Sequence, residues 1–334
     1  MVLDWFGMST GIRFKVLLIL IVVAVFCSSG SALAREETPA GAPRYSGELF
    51  TESERVFFGQ DCWRYTSSSL AVLIDKVYYE DCQCVCFIAH IYTKNGVNFD
   101  IAAYTEDAIE EGKRGQPVKI ARSHKSVYAQ NGDYFWEENN YNSGIVIRDG
   151  IVYKDKVKES MMAFFPDGAM RVFRPGEITP QQLLDEGVTQ TMSFGPILVE
   201  DGEACADIME HPLAYRNPRS AIGMVEPGHY VGILVDGRQK ASVGMEFDRL
   251  AEEFINQGCT VAYNLDGGQS TAMVFMGVQL NTHENDSIYP LQRKVPEMYV
   301  IGQTGMEIYE YSDEPEDYAG LFESFAFAES KGLR

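Results

Sequence analysis

The sequence predicts an α+β fold, mostly antiparallel or mixed β-sheet with a few packed helices in a single domain. Three observations carry that prediction. Turn pairs recur along the chain, at Asn95-Gly96, Asn131-Gly132, Asp149-Gly150, Asp167-Gly168, Asp201-Gly202, Asp236-Gly237 and Asp266-Gly267. Several lie between apolar, β-branched runs, as Asp149-Gly150 does within Ile145 to Tyr153, and such pairs accept the positive φ of a tight hairpin. Helical signals, by contrast, are few and well separated.

Composition bounds the answer before any element is placed. With 334 residues, 46% of them hydrophobic and 23% charged, the chain has enough apolar surface for a sizeable core. Its 28 basic against 48 acidic residues give a net charge of −20, with no Lys/Arg block to offset it. A phosphate backbone would be repelled, so nucleic acid is not expected as a partner.

Taken in chain order, residues 1–34 read as a signal peptide or membrane anchor. Arg13 and Lys15 precede the apolar run Val16 to Phe26, and small residues lead to Ala32-Leu33-Ala34. The run is shorter than the roughly 20 residues of a membrane span, which favours cleavage after Ala34 over a tether. Residues 35–75 form a lead-in, its first part rich in Glu, Pro, Gly and Ser. An extracytoplasmic address would permit disulfides among Cys62, Cys82, Cys84, Cys86, Cys205 and Cys259, whose pairing the sequence leaves open. Cys82, Cys84 and Cys86 alternate and would share one face of a strand, as buried thiols or in disulfides sooner than as a zinc site.

Two helices follow from local chemistry. Thr179-Pro180-Gln181-Gln182 is a capping box with Pro at the first helical position, and Gly187 stops the helix. Phe247, Leu250, Ala251, Phe254 and Ile255 recur at helical spacing, with Gly258 as the stop. Cys259 to Tyr263 then reads as a short buried strand. Residues 306–334 are an acidic tail with no visible chemistry.

The most polar corner comes directly after that strand, at Asn264-Leu265-Asp266-Gly267-Gly268-Gln269-Ser270-Thr271. Asn264 and Asp266 are two apart, so they project together while Leu265 turns inward. Gly267 and Gly268 allow a sharp turn whose free amides could form an anion nest, with the Ser270 hydroxyl in reach. A second candidate is Asn131-Gly132-Asp133-Tyr134-Phe135, where a carboxylate lies among rings able to stack on a sugar. Asp236-Gly237-Arg238, Ser193-Phe194-Gly195-Pro196 and Asn217-Pro218-Arg219 complete the set. Arg219 and Arg238 could clamp a phosphate, or form ordinary ion pairs in so acidic a chain. The five histidines show no ligand spacing, and nucleophile-elbow, P-loop and dinucleotide fingerprints are absent from the sequence. No metal or other cofactor is expected.

These five segments, in this order, resemble the phosphodiester glycosidase family, with the likeness running from about Cys84 to Gly302. Two positions depart from the family pattern: Gln269 stands where a third glycine is usual, and Ser220 where Thr is usual. The resemblance implies a single catalytic domain over residues 76–305 and an exported hydrolase cleaving a glycosyl phosphodiester, N-acetylglucosamine-like, in a glycan or cell-surface polymer. Its partner would be a carbohydrate or glycopolymer carrying phosphate. Asp133, Asp266 and Asp236 are then the candidate catalytic carboxylates. Asn131, Tyr134, Ser193, Gly195, Arg219, Arg238, Asn264, Gly267, Gly268 and Ser270 are the candidate substrate-binding residues. A module that binds anionic glycan without turnover is the alternative. An aspartic peptidase is disfavoured, because Asp266-Gly267-Gly268 has no second Asp-Thr/Ser-Gly partner.

Overall fold

Strands appear where the sequence alternates, and they pair antiparallel throughout. The structure, a computed structural model, describes residues 49–94, 97–104, 113–133, 144–156, 159–283 and 292–305. The largest sheet runs through β1 (Arg55–Phe58), β2 (Cys62–Thr66), β3 (Leu70–Tyr79), β4 (Cys84–Thr93), β15 (His229–Val235), β14 (Arg219–Glu226), β16 (Val261–Asn264), β12 (Ile197–Glu200) and β13 (Glu203–Ala204), in that spatial order. A five-stranded sheet has β18 (Val278–Gln279), β17 (Met273–Phe275), β6 (Ser126–Asn131), β19 (Glu297–Gln303) and β5 (Asp100–Ala103). Two smaller sheets complete it, β10 (Met170–Phe173) with β9 (Met161–Phe164) and β11 (Gln190–Met192), and the hairpin β7 (Ile145–Arg148) with β8 (Ile151–Asp155).

The two large sheets stack face to face, and side-chain alternation assigns each residue its layer. Val72, Ile74, Phe87 and Ile91 of the larger sheet meet Tyr128, Phe275 and Tyr299 of the smaller in one core. Residues of opposite parity, such as Ile88, Ala221, Ile233 and Ala262, pack instead under helix α3 (Phe247–Asn256), through Phe247, Leu250, Ala251 and Phe254. Gly223 lets that helix lie close, since a Cβ there would be 2.8 Å from the Phe254 ring. Helix α1 (Pro117–Ser123) covers the outer face of the five-stranded sheet through Val118, Ile120 and Ala121. Helix, sheet, sheet and helix thus form four layers.

One polar group lies between the stacked sheets. Gln130 of β6 donates from Nε2 to Ser220 Oγ at 2.8 Å and to the carbonyls of Ala221 and Ile233 at 3.3 and 3.2 Å, while its Oε1 accepts the Tyr128 hydroxyl. Every buried polar atom of the side chain is satisfied, as such a site requires.

The capping box at Thr179 forms, with the Thr179 side chain and the Gln182 side chain each bonding the other's backbone, and it starts helix α2 (Pro180–Asp185). Cys84 and Cys86 do share a face, with their sulfurs 4.0 Å apart, and pack as buried thiols beside Cys82 and Cys259 under α3. The larger sheet begins inside the stretch read as lead-in. Trp63 and Tyr65 alternate with polar residues, pair with β3 and enter the core, which overrides the polar composition just before them. The N-terminal apolar segment and the acidic tail lie outside the described residues. No helix among the described residues is long and apolar enough to cross a membrane.

Candidate active site

The described turn pairs fall into two physical classes, and Asn95-Gly96 lies outside the described residues. Asp149-Gly150 and Asp201-Gly202 are hairpin corners, and all four residues have φ between 51° and 78°. Asp167-Gly168 turns β9 into β10, with Gly168 at φ 82°. Gly132, Gly237 and Gly267 do not take a positive φ, and two of them serve close approach instead. A Cβ on Gly267 would lie 2.5 Å from the Pro218 carbonyl, and one on Gly237 would lie 2.7 Å from the Pro218 nitrogen. These three glycines follow the ends of β6, β15 and β16, where the two large sheets terminate together.

That shared end brings the five segments into one hydrogen-bonded cluster. Register places Arg219 opposite Val235 and Ala221 opposite Asn264. Asp266 N donates to Gly132 O at 3.2 Å, and Gly268 N to Pro218 O at 3.1 Å. Asn131 Nδ2 donates to Asp266 O at 2.6 Å, and its Oδ1 accepts Ala272 N at 2.9 Å. Asn264 and Gly195 exchange two bonds: Gly195 N donates to Asn264 O at 3.1 Å and Asn264 Nδ2 to Gly195 O at 2.7 Å. Ser193 N donates to Asp133 Oδ1 at 2.7 Å, and Arg238 Nη2 to Asn217 Oδ1 at 2.8 Å.

Asp266 and Asp133 both have shifted acidity. Burial pushes Asp266 up to about 6, against the opposing pull of the Ser270 hydroxyl, Arg293, Arg114 and the Gly267 amide. Ser270 Oγ is buried beside Asp266 without a partner in full hydrogen-bond geometry. Burial likewise pushes Asp133 up to about 7, with Arg148 opposing and Glu297 adding to the rise. Asp236 is buried where β15 ends; its N–H donates to Val85 O at 3.0 Å and its carbonyl accepts the Ser242 hydroxyl at 2.6 Å.

The arginines divide differently from the sequence expectation. Arg219 turns to the helix side of the sheet, stacking 3.9 Å over the Phe247 ring. Its Nε donates to Met245 O at 2.8 Å, and its Nη2 reaches the carbonyls of Leu213, Ala214 and Tyr215. Three of these four bonds thus hold the 213–215 loop. Arg238 is exposed and leans over Gly268, where a Cβ would come within 3.3 Å of its Nη1. Arg114 and Arg293, which sequence reasoning missed, stand close enough to Asp266 to lower its pKa, and Arg293 N donates to Gln269 O at 2.9 Å. The Gln269 carbonyl, which also accepts Gln292 Nε2 at 2.8 Å, anchors the 292–293 segment, and its side chain adds a 3.4 Å bond from Arg293 Nη2.

Three buried polar atoms in this cluster have no partner: Ser193 Oγ, Asn264 Oδ1 and Ser270 Oγ, each on a residue 1% exposed. An unsatisfied buried acceptor or hydroxyl is costly, so these three are the atoms of the cluster left to bond water or a ligand. Asn264 Nδ2 is fixed on Gly195 O, so its Oδ1 is the group left to accept. Tyr134, with Phe135 and Trp136, lies outside the described residues.

Arg148 and Glu297 were also missed, and together with Asp133 they form a buried charge cluster. The available signal was a charged residue beside an apolar strand run, Ile145-Val146-Ile147 before Arg148 and Met298-Tyr299-Val300-Ile301 after Glu297.

Residues 124–302 match the phosphodiester glycosidase family. The chain belongs to that family. The match holds all five segments and both sheets' shared end. A curated relative, the SPbeta prophage-derived uncharacterized protein YomE of Bacillus subtilis (strain 168), is 32% identical over 171 residues, covering 49% of this chain and 26% of that protein. The chain therefore spans about a quarter of that relative's length. Among solved structures, the zebrafish N-acetylglucosamine-1-phosphodiester alpha-N-acetylglucosaminidase catalytic domain, auto-inhibited by its pro-peptide, superposes with a TM-score of 0.58 at 20% identity, over 70% of this chain and 83% of that one. A hypothetical protein from Synechocystis superposes at 0.53 with 13% identity, over 70% and 62%. Both likenesses are of fold.

Proposed function

We propose that this protein hydrolyses a glycosyl phosphodiester, releasing an N-acetylglucosamine-like sugar from a phosphate-bearing glycan or surface polymer. The observation that carries this reading is the set of unpartnered atoms, Ser193 Oγ, Asn264 Oδ1 and Ser270 Oγ, which come from two of the segments in the hydrogen-bonded cluster that also holds Asp266 and from the turn that follows it. They match the mixed donors and acceptors of a sugar's hydroxyl and amide groups. Arg238, Arg114 and Arg293 around the same corner supply the positive charge that a phosphodiester needs. Family membership, and the phosphodiester named for the zebrafish relative, point the same way.

In the reaction the bond between the anomeric carbon and the phosphate oxygen breaks, the phosphate monoester departs with the bonding electrons, and water supplies the hydroxyl to the sugar. Phosphate leaves readily, so the main demand falls on the carbon, where positive charge develops. Asp266, ionised above about pH 6, answers that demand as a stabilising carboxylate or as the base for water. The reading includes export, for which the order of charge, apolar run and small residues in residues 1–34 is the support.

The deciding experiment incubates the protein with an N-acetylglucosamine phosphodiester and measures free sugar. Release at a rate abolished by Asp266→Asn supports the enzyme. Saturable binding of the diester without release would establish the glycan-binding module instead, a reading that the burial of the Asp133 and Asp266 carboxyls also suits.

A further inference from the structure

Asp133, Arg148 and Glu297 are 2, 3 and 1% exposed, so two carboxylates share one guanidinium out of reach of water. Glu297 takes the larger share. It accepts from Arg148 Nε at 2.9 Å and again from Nη2, a bidentate grip, while Arg148 Nη1 goes to the carbonyls of Ile147, at 2.8 Å, and Thr191. Asp133 Oδ2 receives only a 3.3 Å contact from Nη2, and its Oδ1 accepts Ser193 N at 2.7 Å. Both oxygens of Asp133 are therefore acceptors facing N–H groups. That arrangement is complete only for the ionised carboxylate, because a proton on either oxygen would meet a donor.

The Asp133 side chain has no exposed surface, so whatever it does for the reaction passes through its neighbours. Ser193 is the direct one. From Ser193 the chain runs through Phe194, whose N–H donates to the Tyr263 hydroxyl at 3.0 Å, to Gly195, which exchanges two bonds with Asn264. Two of the three unpartnered atoms, Ser193 Oγ and Asn264 Oδ1, are carried on this stretch.

We propose that Asp133 is a positioning residue, held by the Arg148–Glu297 pair, which when ionised fixes Ser193 and the 193–196 turn against Asn264 and when protonated releases them. The proposal rests on the site reading of the preceding subsection. The groups facing Asp133 are Arg148 from β7, Glu297 from β19, the Ser193 amide beyond β11 and Tyr263 from β16. Burial and Glu297 oppose its ionisation, Arg148 and the Ser193 amide favour it, and the balance near 7 places the change within the physiological range.

The test is a pH titration of the full chain labelled with 13C at aspartate carboxyls and 15N at amides, run on the wild type, Glu297→Gln and Asp133→Asn, beside the pH profile of sugar release. The expected result is an Asp133 carboxyl midpoint near 7, followed by the Ser193 amide with the same midpoint. Glu297→Gln removes the opposing charge and moves both midpoints down by about one unit or more, the size of effect a buried neighbouring charge exerts. The acid limb of turnover should move with them. Asp133→Asn, the uncharged isostere of the acid form, should fold, lose the Ser193 titration and show the low turnover of the acid limb at every pH. A Ser193 amide that ignores the Asp133 titration would overturn the proposal, as would an acid limb unmoved in Glu297→Gln. If the wild type releases no sugar, the functional reading fails by itself, and the coupled titration of Asp133 and Ser193 still decides this one.

Discussion

Asn131 holds Asp266 by its main chain and leaves its carboxyl group alone: Asn131 Nδ2 donates to Asp266 O at 2.6 Å, while Asn131 Oδ1 accepts the Ala272 N–H at 2.9 Å. One amide at the end of β6 thus ties down both ends of the corner that follows β16. The carboxyl of Asp266 stays available for chemistry, and this separation makes Asp266→Asn a clean probe. The substitution keeps size and removes charge, so turnover should fall by about 10² to 10⁴-fold with substrate binding little changed. Burial disfavours the ionised form of Asp266, so the variant should melt no lower than the wild type. Kinetics paired with thermal unfolding checks both halves.

Gly267 and Gly150 make a second contrast. Gly150 sits at φ 74° with nothing within 4 Å of a Cβ, so Gly150→Ala should cost about 1–2 kcal/mol of stability for the left-handed backbone and leave activity intact. Gly267→Ala would push a Cβ to 2.5 Å from the Pro218 carbonyl, a backbone atom on a neighbouring segment. The corner must shift, and sugar release should fall at least tenfold even where the protein still folds. Urea unfolding and initial rates on both variants test the distinction.

Arg219 and Arg238 should separate in the opposite sense from what charge alone suggests. Arg219→Ala strips bonds from the carbonyls of Leu213, Ala214, Tyr215 and Met245, so its main effect should be a loss of about 2–4 kcal/mol of stability, and Arg219→Lys, lacking the fork, should not restore it. Arg238→Ala should leave stability within about 1 kcal/mol, as exposed positions usually do, and raise KM for an anionic diester. An Arg238→Ala enzyme with unchanged KM would remove that residue from the anion site.

His229 supplies a pH dependence of stability. Burial, with the neighbouring His90 ring 3.0 Å away, pulls its pKa down to about 4 from an ordinary value near 6.5. The folded state holds the neutral ring, so this contribution is fully present above pH 6.5 and is lost as pH falls toward 4. Asp133 and Asp266, raised in the fold, act in the other direction over a similar range. The quantity to measure is therefore the difference in Tm between wild type and His229→Gln, which should shrink or reverse as pH falls from 7.5 to 4.5. A difference independent of pH would rule out His229 as the titrating group.

The sequence announced the hairpins, the capped helix and the amphipathic helix because each is a local arrangement: Asp149-Gly150 needs only its own φ values, and Thr179 needs only Gln182. The five segments of the site were legible as well, through their residue types. What they do was less so. Arg219 reads as a phosphate ligand until tertiary structure aims it at three consecutive carbonyls. Gly267 reads as a turn residue until the Pro218 carbonyl arrives against it. Arg148, Glu297, Arg114 and Arg293 lie far apart in sequence and belong to no segment, so only the stacking of the sheets brings them to the site. The start of the larger sheet at Arg55 was hidden by the polar stretch before it.

Gln130 has a consequence for how far this site can drift. Two apolar sheet faces pressed together have little to choose between neighbouring alignments, since hydrophobic contact is nondirectional. The Gln130 amide, spanning to Ser220, Ala221 and Ile233, singles out one alignment. Asn131 is the next residue along β6, so a slip of one step would carry it past Asp266. Selection on catalysis alone should therefore find position 130, deep in the sandwich, about as intolerant of change as position 266.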